Sequence, residues 1–162
     1  MNDLAELLQD FHRDKLAELL RHQAGARHIR QYDLNNAYQY FLNRDNVHLS
    51  WVAAAITDLG ALIQPASAEP DIAPLGRDPD AWRHIVEADA RGAQLFVDRW
   101  RPRIDQMANA RHAKMLRVIL GEVLEQKRFF EQALAGRTDL LGRRGDTLEP
   151  SHGEVLPGRW IE

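Results

Sequence analysis

Apolar residues in this chain return at three- and four-residue spacing, and over one long stretch they return strictly in sevens. Leu34, Phe41, His48, Ala55 and Leu62 form one row and Tyr38, Asp45, Val52 and Leu59 the other. Such a repeat keeps a narrow stripe of a helix turned toward its neighbours, so the fold must be helix packed on helix. No alternating strand pattern and no tandem repeat competes with it.

The same periodicity places four helices. The first begins after Asn2 and Asp3, which can cap a helix start, and carries Leu4, Leu7, Leu8, Phe11, Leu16, Leu19 and Leu20 to an end near Gly25. The second runs from about Ile29 or Asp33 to Ile63. From Gln64 to Asp78 the chain holds Pro65, Pro70, Pro74 and Gly76 and no helical period. Fully extended, this connection reaches roughly 50 Å, enough to cross the length of a bundle. Asp78-Pro79 reads as an N-cap with proline at the first helical position. The third helix then carries Trp82, Ile85, Val86, Ala93, Phe96 and Trp100 and is kinked or stopped at Pro102. The fourth carries Ala113, Leu116, Ile119, Leu120, Val123, Phe130 and Leu134, with Gly136 as its C-terminal cap. The expected architecture is all-α: a four-helix bundle of two antiparallel hairpins joined by a long crossover, over residues 1–136. Residues 137–162 form a C-terminal extension that either docks Val155, Leu156 and Trp160 on the bundle or a second subunit, or hangs free.

Composition narrows what such a bundle does. The 162 residues suit one domain, 44% are hydrophobic and 28% charged, and no apolar run is long enough to span a bilayer. The net charge is −3 and the arginines are scattered, so neither nucleic acid nor an anionic membrane is an expected partner. The absence of cysteine removes disulfides, thiol nucleophiles and cysteine metal sites together. The start at Met1-Asn2-Asp3 has no positively charged segment before an apolar stretch, which makes the cytoplasm the expected location.

The informative residues are charges lying on the apolar seams, because a polar group inside a bundle needs an internal partner or a metal. Asp45 and His48 both belong to the second helix's heptad rows and form an Asp-x-x-His pair on one face. At about 100° per residue, Asp89 lies within about 20° of Trp82 and Trp100 on the third helix, and Lys127 about 20° from Leu116 and Leu134 on the fourth. On the first helix, His12 and Lys15 lie inside the leucine stripe and Glu18 at its edge. The expected core charge cluster is therefore His12, Lys15, Asp45, His48, Asp89 and Lys127, with Asp89 and Lys127 as a buried ion pair level across the hairpin. Two of only three lysines lie on seams, where a compact ammonium on a flexible stem can pair with a carboxylate. Tyr32, Tyr38, Tyr40, Phe41 and Trp51 read as packing, and Glu122 and Glu125 as solvated.

Helix order and motif together resemble the ferritin-like superfamily over about Leu4 to Leu134. Its four-helix bundle joins two hairpins by one long crossover, and its di-metal site takes a Glu from each of helices 1 and 3 and a Glu-x-x-His from each of helices 2 and 4. Arg44-Asp45-Asn46-Val47-His48-Leu49-Ser50-Trp51 looks like the helix 2 motif with Asp for Glu. In Leu124-Glu125-Gln126-Lys127-Arg128-Phe129-Phe130, Lys127 stands where the fourth helix's Glu would be and Phe130 where its His would be. The resemblance thus implies an incomplete di-metal site and a non-catalytic bundle, a homodimer or higher oligomer that acts by binding. The alternative is a metal-dependent oxidase or hydroxylase, or an iron-binding protein, with one iron, manganese or zinc ion on Asp45, His48 and Asp89. A third reading is a carrier in which Lys127 or Lys15 pairs a small anionic ligand.

Overall fold

A computed structural model describes residues 3–73, 76–141, 153 and 155, so the expected docking of Leu156 and Trp160 lies outside the described residues. The chain forms four helices in the order α1 (Asp3–Ala26), α2 (Tyr32–Asp58), α3 (Trp82–Asp105) and α4 (Ala110–Leu134), with no strand among the described residues. α1 packs on α2 and α3 on α4, while lighter α2·α4 and α1·α3 contacts close the ring. This is the all-α four-helix bundle expected from the periodicity.

Polar ties fix the helix directions. Along α1 the residues Asp10, Asp14 and Arg21 meet Arg103, Arg99 and Asp89 of α3, so the two helices are antiparallel. Arg44 and Asp45 of α2 meet Glu122 and Gln126 of α4, while Phe41 meets Phe130, which makes that pair antiparallel too. The order is up, down, down, up, so the α2–α3 connection must return along the whole bundle. It does: Gln9 of α1 donates to the Leu62 carbonyl at 2.7 Å, and Gln23 donates to Glu69 at 2.7 Å. The 14 residues between those α1 positions rise about 21 Å, and the seven residues from 62 to 69 reach about 23 Å when extended. Ile72 then packs beside Gly25, where a Cβ would meet Ile85 at 2.9 Å. The connection is therefore strapped to α1 by side chains.

Helix ends differ from expectation where a local signal outweighs the period. α2 stops at Asp58 instead of reaching Ile63, because Gly60 adopts φ +74 and the Ala61 N–H bonds back to the Ile56 carbonyl. Leu62, placed on the heptad row, is consequently exposed in the connection. Gly136, at φ +91, ends α4 the same way with Arg137 N–H on the Gln132 carbonyl, as the sequence indicates. Asp78-Pro79 does not cap α3, which begins at Trp82; Asp78 instead accepts the Asp80 N–H inside the preceding turn. Pro102 neither stops nor ends α3, since the carbonyl it leaves without a helical donor belongs to exposed Asp98. Asn109 caps α4 by accepting the His112 N–H at 3.1 Å.

Two apolar clusters fill the bundle. One gathers Phe11, Val52, Phe96, Trp100, Leu116 and Val123, and the other Leu19, Tyr38, Phe41, Ile85 and Phe130. The boundary between them falls near Lys15 on α1 and Gln126 on α4 and between Leu49 and Val52 on α2, and the buried polar side chains of Lys15, Asp45 and Gln126 interrupt the apolar rows.

Candidate functional site: a buried charge layer

The centre of this layer is Asp45, which is 0% exposed and held on its α2 row between Tyr38 and Val52. Lys15, 1% exposed, brings Nζ to 2.8 Å from Asp45 Oδ1, and Gln126 Nε2 donates to the same oxygen at 2.7 Å. The lysine contact is electrostatic, with the ammonium not aligned as a hydrogen-bond donor. Its stem crosses the core, with Nζ 5.9 Å from the Phe96 ring.

A second carboxylate lies one contact away. Asp89 of α3 accepts the Tyr38 hydroxyl at 2.5 Å on Oδ2 and Arg21 Nε at 3.2 Å on Oδ1. Arg21 also grips Glu18 at 3.0 Å and lies across Gly92, where a Cβ would meet its Nη2 at 2.1 Å. Glycine at 92 thus opens the groove through which an α1 arginine reaches Asp89. Between the two carboxylates stands His22, with Nδ1 4.0 Å from Asp45 Oδ2 and Nε2 3.8 Å from Asp89 Oδ1. Its ring is held edge-on by Tyr38 and Phe130.

Burial dominates the proton affinities here. It lowers His22 well below the usual imidazole range, with the Arg21 and Lys15 cations acting in the same direction. Burial pushes the Asp89 carboxyl up to about 6, against the opposing pull of the Tyr38 hydroxyl and Arg21. The Tyr38 phenol rises well above its ordinary value by burial and the neighbouring Asp89 charge, and Glu18 rises by burial. His12 and His48, both buried, are lowered by burial.

Of the expected cluster, Lys15, Asp45 and Asp89 lie in this layer. His12 and His48 are buried as expected, and His48 packs its ring 5.0 Å from Trp51. Lys127 is a correction. It is 28% exposed and pairs with Glu131 of its own helix at 3.0 Å, so the expected Asp89–Lys127 bond does not form. Asp89 takes Arg21 instead, and a core anion held by Lys127 is ruled out by position. The rows Leu116, Val123, Phe130 and Ile119, Gln126, Ala133 stay buried, whereas Ala113, Leu120, Lys127 turns outward at its third member. The buried seam of α4 therefore follows seven-residue rows and departs by about 20° per heptad from a straight 3.6-residue count, which would have turned Lys127 inward.

Three participants were not singled out from sequence. His22 completes the row Leu8, Lys15, His22 at seven-residue spacing, a signal available without coordinates. Gln126 follows Ile119 by seven. Arg21 lies off the stripe and is drawn in only by the gap at Gly92.

The expected metal set of Asp45, His48 and Asp89 does not fit an ion. Among the described residues no three His, Asp or Glu side chains are gathered as a metal requires, and the Lys15 ammonium already occupies the cationic position beside Asp45. Nor, among them, is any helix long and apolar enough to cross a membrane. No family model, curated protein or solved structure matches the chain.

Proposed function

We propose that this chain is a metal-independent, ferritin-like helical bundle that acts by binding, as an oligomer, and not by redox catalysis. The observation that carries the reading is Lys15 Nζ at 2.8 Å from the fully buried Asp45 carboxylate. A carboxylate in a dry core stays ionised only beside a positive charge. In a ferritin-like core that charge comes from metal; here an ammonium on α1 supplies it. The up, down, down, up order and the strapped crossover support the likeness in connectivity. Gln126, in place of a fourth-helix carboxylate, gives Asp45 a donor and adds no negative charge for a cation to balance.

The test is elemental analysis of untagged protein, purified without chelator from cells supplied with iron and manganese, beside an Asp45→Ala, His48→Ala variant. The expected result is substoichiometric metal in both and a melting temperature indifferent to chelator. One equivalent of metal in the parent protein, lost in the variant, would overturn the reading in favour of the oxidase or hydroxylase.

A further inference from the structure

Six consecutive residues of α2, Leu34 to Gln39, are all buried. A helix of a four-helix bundle buries the side turned to its neighbours and leaves its back to water. Tyr32, Asn36 and Gln39 lie on that back: at about 100° per residue, each is at least about 120° from both Phe41 and Asp45 of the core rows. Yet Asn36 is 7% and Gln39 1% exposed, whereas Ser50 and Ala54, farther along the same back face, are open to solvent. Something outside the four helices therefore covers the first turns of α2.

Three segments lie outside the helices. The α1–α2 turn ends at Gln31, before this face begins, and the α2–α3 connection is strapped to α1 by Gln9 and Gln23. The C-terminal extension, by contrast, is at α2. Leu140 is buried in the cluster that holds Leu34, Ala37 and Tyr38. Gly153 lies against the Tyr32 ring, where a Cβ would meet Cε2 at 2.3 Å.

We propose that the back of α2 from Tyr32 to Gln39 is a seat for an extended peptide, and that the chain's own C-terminal extension occupies it about Gly153. Gln39 is seven residues along α2 from Tyr32, about 10.5 Å, a span that three extended residues cover. Val155, half-buried two residues past Gly153, keeps the chain on the protein. Asn36 and Gln39 suit such an occupant, because a buried carboxamide needs both a donor and an acceptor and an extended main chain presents both. Tyr32 adds a flat ring that main chain approaches closely only where the residue has no side chain, so the seat selects glycine at that point. Neither a metal nor a second subunit enters this contact, which makes it independent of the function proposed above.

The experiment is thiol labelling of the full chain. The chain has no cysteine, so Asn36→Cys, Gln39→Cys and Ser50→Cys each carry one thiol. The thiols at positions 36 and 39 should react at least about tenfold more slowly than the thiol at 50, because reaction waits for the extension to lift. Adding Gly153→Val should bring both slow rates up to that of the thiol at 50, which itself should not change. The far-UV spectrum should also be unchanged, since Gly153 belongs to none of the four helices. Equal rates for all three thiols without Gly153→Val would overturn the covered face. Slow thiols that Gly153→Val leaves slow would overturn the extension as occupant, and protection that disappears on dilution would assign the cover to a second copy instead.

Discussion

Replacing Lys15 by Met tests whether an internal ammonium balances the core. Methionine keeps most of the stem that crosses the core and removes only the charge, leaving Asp45 with the single Gln126 donor in a fully buried position. The carboxylate then either stays ionised without a counter-charge or takes up a proton, and the cheaper route sets the loss. Protonating a carboxyl of ordinary aspartate affinity at pH 7 costs about 4 kcal/mol, which caps the destabilisation. Breaking one partner of a buried pair costs about 3 to 5 kcal/mol. The two figures overlap, so we expect a loss of about 3 to 4 kcal/mol at pH 7. That loss should shrink to about 1.5 kcal/mol at pH 5, where protonation is easier by about 2.7 kcal/mol. Urea unfolding followed by far-UV circular dichroism measures it, with the slope against urea held constant as a check that the fold is unchanged. In an Asp45→Asn background the same Lys15→Met change should cost little, since removing both partners of a buried pair is close to neutral. A loss below about 1 kcal/mol at pH 7, or an equal loss in both backgrounds, would refute the idea that Lys15 is the charge balance of Asp45.

Other perturbations follow from the second carboxylate and from the helices. Asp89 holds its proton up to about 6 in the folded chain. The folded state therefore binds more protons than the unfolded state between about pH 4 and 6, and stability falls by about 3 kcal/mol as pH rises through that window. Asp89→Asn should remove this fall, as urea midpoints at pH 4.5 and 7 would show; an unchanged profile would count against the burial of an ionisable Asp89. His22 is held neutral, so its contribution has the opposite sign: stability is lost as pH drops below about 6.5, and His22→Leu should lessen that loss in the same titration. Tyr38→Phe removes the 2.5 Å hydroxyl donor from Asp89 and should cost about 1.5 to 3 kcal/mol by urea unfolding. Gly121 sits on the exposed side of α4 with nothing within 4 Å of an added Cβ, so Gly121→Ala should raise stability by about 0.5 to 1 kcal/mol, read as a higher melting temperature.

What could be read without coordinates depended on whether a signal was short-range or accumulated along a helix. The heptad rows of α2 placed Tyr38, Asp45, Val52 and Leu34, Phe41, His48, Ala55, all of which are buried. The rows failed only past Gly60, where one left-handed glycine ended the helix that the repeat would have continued. Asp89 was placed correctly because its seven-residue neighbours Trp82 and Phe96 bracket it within one turn of drift on either side. The long connection was legible because proline spacing excludes helix, whereas its strapping by Gln9 and Gln23 depended on partners far apart in sequence.

Lys127 shows why the cluster itself was harder. Counted as a straight helix from Leu116, it lies about 20° from the seam, but eleven residues of supercoil displace the seam and bring Gln126 inward instead. An error of one residue on α4 exchanged a cation for a neutral donor and so reassigned both carboxylates. Lys127 can no longer answer Asp89, which takes Arg21 through the gap at Gly92, and Lys15 is left to answer Asp45. Each choice follows from the burial of the other: a core with two carboxylates and one reachable lysine needs its second cation from the bundle edge. Arginine suits that edge because its side chain, 34% exposed, stays partly solvated while its guanidinium grips Asp89 and Glu18. The layer is thus asymmetric, with one carboxylate neutralised inside by Lys15 and the other from the rim by Arg21. Only the Asp45 end should respond to Lys15→Met, and only the Asp89 end to loss of the Arg21 guanidinium.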